Sequence, residues 1–270
     1  MTVRPLRILA VALALTGLGA AEAFAWGPET QRGITTLALQ LLRRDYSDSF
    51  KTKEANYEAD ILRGMRDGVK VLKGTTPLNS TEEAIIAVGS EIQLLRAARQ
   101  QAKGSYFAYR MGVLGALASD LVMPYGMARE GSALELRQKI ERDIDGHYKG
   151  YGFSPNVRPL QYIRSSPKYY EEMRMFMDNS ESIIKSDYAS GVGYEGYLAQ
   201  GGEKAFERAV EAVADAWFSV LREKGDVIDV PPSKPVLTWY FVGQLEHILT
   251  EKKSFYLARS MYKYFDKVNP

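Results

Sequence analysis

Wound as a helix, the stretch Tyr106 to Met123 is apolar around nearly its whole circumference, with Arg110 and Asp120 as its only charged residues. A helix without a polar face has no side to offer water and belongs at the centre of a bundle. The rest of the chain supplies helices to surround it. Ile34, Leu37, Ala38, Leu41 and Leu42 form a helical stripe within Gly27 to Arg44, and Pro28 suits a first helical turn. Ser80 with Glu83 three residues on is a capping box, opening a helix with Ile85, Val88, Ile92 and Leu95 on one face that stops near Gly104. Ser132 to Ile144 reads as a helix capped by Ser132 and Glu135, and Lys168 to Tyr188 as another. Phe206, Val210, Val213, Trp217 and Leu221 mark an amphipathic helix over Glu203 to Glu223. Tyr-, Gly- and Pro-rich sequence makes His147 to Pro167 and Ser190 to Gly202 loops. Pro231, Pro232 and Pro235 break the chain before two last helical segments, Val236 to Thr250 and Lys252 to Lys267. No repeat, low-complexity tract or strand pair stands out. The expectation is an all-α multi-helix bundle.

Residues 1–25 have the pattern of an export leader. Arg4 and Arg7 precede the apolar stretch Ile8 to Ala21, and Ala23-Phe24-Ala25 places a small-x-small cleavage signal before Trp26. The apolar stretch is short for a bilayer span, which needs ~20 residues. The expectation is an exported protein, periplasmic or extracellular, with residues 26–270 as a single helical domain and no transmembrane segment after cleavage.

Composition removes several chemistries. There is no cysteine, so a disulfide scaffold, a Cys-ligated zinc site, an iron–sulfur cluster and a thiol nucleophile are excluded. Lys plus Arg total 35 against 33 Asp plus Glu, for a net charge of +2, which carries no nucleic-acid signal. Only two histidines are present, His147 and His247. No Ser-His-Asp set, phosphate-binding glycine loop or nucleotide fingerprint is evident.

Four features carry chemistry. Trp26, at the new N-terminus, would offer an amine and a carbonyl able to chelate a metal. Asp120, on the all-apolar helix, must find a metal, an arginine or a helix N-terminus, because an unpaired buried charge costs several kcal/mol. Arg137 and Glu141 are four apart on one helical face, the spacing of a surface ion pair. Asp67 sits next to Gly68 and close to Gly64, where backbone can approach a ligand or simply turn. His147 can be read as a ligand, a general acid or a helix C-cap, and His247 as an ordinary helix residue. The tyrosines of His147 to Tyr170 could line a groove for a lipid headgroup, sugar or base, or pack the loop onto the bundle.

The run Trp26-Gly27-Pro28-Glu29-Thr30-Gln31-Arg32-Gly33-Ile34 resembles the mature start of the zinc-dependent phospholipase C family and the related zinc-dependent single-strand nucleases. Those enzymes begin with a Trp whose amine and carbonyl bind zinc, followed by a His where this chain has Gln31. Their central helix carries His-x-x-x-Asp-x-x-x-Pro-x-His. Here Asp120 and Pro124 match, while Ala116 and Gly126 stand in the histidine places. Their next element is His-x-x-x-Glu or His-x-x-x-Asp, where this chain keeps Glu141 and has Arg137 for the His. Asp67 is similar to the family's early aspartate, and Glu203 to Glu223 looks like its closing helix.

The resemblance implies a bundle of the phospholipase C and single-strand-nuclease type, a zinc cofactor, and a phospholipid or other phosphoester as partner. It implies Trp26, Asp67, Asp120 and Glu141 as residual metal ligands; if hydrolysis survives, Asp67 and, from its own position at the helix end, His147 are the catalytic candidates. With the alignable histidines gone, the remaining donors are oxygen-rich and suit Mg²⁺ or Ca²⁺ better than zinc. The expected cofactor is therefore none or one divalent ion. Alternatively, Arg137, a permanent cation with a bidentate fork, takes over the neutralising role of the metal. The first reading is a degenerate metal site that binds a ligand or partner. The second is an active phosphoester hydrolase using fewer ions.

Overall fold

The computed structural model describes residues 26–42, 57–72, 78, 80–99, 104–153, 158–177, 180–222, 240–241 and 244. The expected leader, His247 and most of the last two expected helical segments lie outside the described residues. The order is α1 (Pro28–Leu41), α2 (Glu58–Leu72), α3 (Thr81–Ala98), α4 (Ser105–Asp120), α5 (Gly131–His147), α6 (Ser166–Arg174), α7 (Ser180–Ala189) and α8 (Leu198–Leu221), with short 3-10 turns at Tyr148–Gly150, Met175–Met177 and Gly193–Glu195. The fold is all-α, and no strand occurs among the described residues. No helix there is long and apolar enough to cross a membrane.

Every residue of α4 from Tyr106 to Asp120 is buried, as a helix apolar on all sides requires. Its closest neighbour is α2. The two backbones meet at Gly64 and Gly112: a Cβ on Gly112 would overlap the Ile61 carbonyl oxygen, and one on Gly64 the Tyr109 carbonyl oxygen. One turn on, Gly68 faces Ala116. On another side, the fully buried Trp217 of α8 donates its indole N–H to the Met111 carbonyl at 2.7 Å. From α3, Glu91 takes both arms of Arg110. Backbone cannot retreat as a side-chain tip can, so Gly112→Ala is expected to destabilise the protein by about 1–3 kcal/mol. Urea unfolding of the variant checks this; an unchanged midpoint would refute the close approach.

Several expected boundaries move. Ser80 accepts from the Glu83 N–H at 3.2 Å, the first half of the capping box, and α3 starts at Thr81. For α5 the cap expected at Ser132 is not used: the helix begins at Gly131, with Glu130 as an N-cap that makes no side-chain bond. The expected helix over Lys168 to Tyr188 is two helices, α6 and α7, parted near the 3-10 turn at Met177. Helix α8 starts at Leu198, inside the stretch expected to be a loop. Asp67 lies within helix α2, not in a turn. Its neighbouring glycines serve helix–helix contact instead.

A buried acid–guanidinium cluster at the end of the central helix

Asp120 is the last residue of α4 and is 2% exposed. Beyond it the chain turns back sharply. Tyr125 adopts a left-handed conformation at φ 58°, held by Glu181, which accepts its N–H at 3.0 Å and, through the backbone carbonyl, its hydroxyl at 2.8 Å. Gly126 then presses so closely on the Asp120 carbonyl oxygen that a Cβ there would overlap it. The returning segment anchors two guanidinium groups. Arg129 donates to the Gly126 carbonyl at 2.8 Å, and Arg137, from α5, donates to the Ala128 carbonyl at 3.0 Å. Both then face one oxygen of Asp120, each at 3.9 Å from Oδ2.

That spacing is an ion pair without hydrogen-bond contact, and Oδ2 accepts no hydrogen bond among the described residues. Burial therefore outweighs the two cations, and the Asp120 carboxyl is pushed up to about 6. Arg137 is itself 0% exposed, so it is not half of the surface ion pair that the i, i+4 spacing with Glu141 suggests; its ion pair is with Asp120. Burial pushes the guanidinium of Arg137 down, while Asp120 and Glu141 favour its charge. Glu141 is pushed up to about 8, first by burial and then by the negative fields of Asp120 and Asp145, against the pull of Arg137.

Asp145, one turn beyond Glu141, joins the cluster to the start of the domain. Gly27, the N-cap of α1, has no side chain to cap with. Asp145 takes that place from across the fold, accepting the Thr30 N–H at 2.7 Å and the Thr30 hydroxyl at 2.8 Å. A carboxylate at a helix N-terminus is favoured by the free N–H groups and the dipole. The contact is tight enough that a Cβ on Gly27 would overlap the Asp145 carboxyl. Trp26 precedes it with its side chain 1% exposed.

The structure thus brings Trp26, Asp120, Arg137 and Glu141 to one end of the bundle, together with Arg129, Asp145 and Thr30, which sequence reasoning did not select. Gln31 is buried on α1. Asp67 stands apart on α2, partly exposed, with Arg66 3.4 Å from its carboxylate. His147 is the exposed last residue of α5: its Nδ1 lies 2.7 Å from the Asp143 carbonyl and its ring stacks on Tyr194 at 3.8 Å. That is C-cap geometry, away from the cluster.

No protein-family model, curated protein or solved structure matches the chain.

The residues present do not fit a three-zinc centre. Ala116 is packed beneath Gly68, and Gly126 has no room for a side chain, so neither place could hold an imidazole without moving backbone. Two guanidinium groups face the Asp120 carboxylate. No group of three or more His, Asp or Glu side chains that could hold a metal ion occurs among the described residues.

Proposed function

We propose that this is an exported relative of zinc-dependent phospholipase C whose metal centre has become a charge cluster. On this reading the protein does not hydrolyse phosphodiesters by three-zinc chemistry. It keeps the bundle and uses the remnant of the site to bind a phosphoester ligand or a partner. The observation carrying the proposal is Arg137, fully buried and facing the acid of the central helix, at a position where the family motif has a zinc-binding histidine. A guanidinium there supplies the positive charge that retained carboxylates require, but it cannot lower the pKa of a bound water as zinc does.

Metal analysis of the leader-cleaved protein, purified without chelator, tests the proposal. Well under one equivalent of zinc, calcium or magnesium is expected, and added zinc should not bring hydrolysis of a chromogenic phosphocholine ester. One equivalent or more of metal that is lost in Asp120→Asn, or ester hydrolysis that stops with chelator, would overturn it in favour of a hydrolase using fewer ions.

A further inference from the structure

A groove of about 340 Å³ opens between α3 and the strip leading into α6, sharing no lining residue with the Asp120 cluster. The strip is held rigidly from behind. Asp215 of α8 accepts from the Gln161 N–H at 2.8 Å and the Tyr169 hydroxyl at 2.6 Å, and also from Arg158. Ser219 accepts the Ile163 N–H at 2.9 Å. The wall is therefore preformed.

The lining has two chemical halves. Ile85, Ile86 and Ile163 are apolar, and Ile86 is 65% exposed at the rim. Against them stand Arg96 and Arg164, with no acidic residue among the described lining. Arg96 is 6% exposed, and its guanidinium lies over the Tyr162 ring at 5.1 Å, with Arg222 at 5.3 Å from the same ring. A cavity with a rigid wall, charge of one sign among its described lining residues and an aliphatic side selects a ligand of the complementary kind.

We infer that this groove binds a small aliphatic anion, its carboxylate or phosphate head against Arg96 and Arg164 and its chain against the isoleucines. Neither the resemblance to phospholipase C nor the charge cluster enters this inference.

Isothermal titration of the purified protein tests it, with octanoate, octyl phosphate, inorganic phosphate and octanol as probes. Saturable one-site binding of at least one octyl anion is expected, with octanol and inorganic phosphate each about tenfold weaker or more. The better of the two anions names the head group. Arg164→Gln and Ile86→Glu, both at exposed positions, are each expected to weaken binding about three- to tenfold, the second by placing a like charge at the mouth. Arg96→Gln should abolish it; where that variant does not fold, the two surface variants decide. No saturable binding of either anion, octanol or inorganic phosphate binding as tightly, or affinity unchanged in both surface variants overturns the inference.

Discussion

Arg110→Met is expected to destabilise the protein by about 3–5 kcal/mol, a large share of an ordinary domain's stability. Arg110 and Glu91 are fully buried, and the two nitrogens of the guanidinium reach the two carboxylate oxygens at 2.8 and 2.6 Å. The Tyr106 hydroxyl lies 3.0 Å from the same guanidinium. Removing the cation takes the bidentate partner from a desolvated carboxylate in the heart of the bundle, between α3 and α4. Most of the loss is the desolvation of that carboxylate rather than the worth of the pair, since a buried ion pair and an apolar pair of similar volume are often near parity. The double variant Glu91→Leu/Arg110→Met should therefore recover most of the stability lost in the single variant. Urea unfolding of the three variants decides the matter. If Arg110→Met loses less than about 1 kcal/mol, the pair is not the desolvated contact described. If the double variant is no better than the single one, the desolvated charge is not the cause.

What was legible in the sequence followed from constraints that act locally. The central helix could be read because a segment buried on every side must be apolar on every side. That Asp120 needs a partner could be read as well, because desolvation demands it whatever the tertiary structure. One partner, Arg137, could be read only through the resemblance that put it in a metal ligand's place; the others could not. Arg129 arrives through a left-handed turn at Tyr125, a conformation that no glycine announces. Arg137 and Glu141 show the spacing of a surface pair, and spacing carries no information on depth. Asp145 caps a helix 115 positions away. The one local hint was Gly27, an N-cap without a side chain, which calls for an acceptor from elsewhere. The helical setting of Asp67 was hidden for a related reason: glycines that let backbone turn and glycines that let two helices touch look alike in sequence.

The cluster also makes stability fall as pH rises. In the unfolded chain Glu141 loses its proton near its ordinary 4.5, whereas the folded protein holds it up to about 8. Asp120 runs from 3.8 to about 6 in the same direction. Between those values the folded state binds more protons than the unfolded one, so stability is full below about pH 4 and declines up to about pH 8, then levels. The charges facing Glu141 are Arg137 and Arg142 on its own helix, Asp145 below it, and Asp120 from α4. Because Glu141 is only partly buried, the expected loss between about pH 5 and about pH 8.5 is about 1–3 kcal/mol, discounted for screening by water. Glu141→Gln should remove most of the slope above about pH 6 and leave the variant more stable than the parent at about pH 8.5, while Asp120→Asn should flatten the lower part. Urea midpoints taken across this range check the sign directly: a level profile in the parent, or one that rises with pH, contradicts the arrangement.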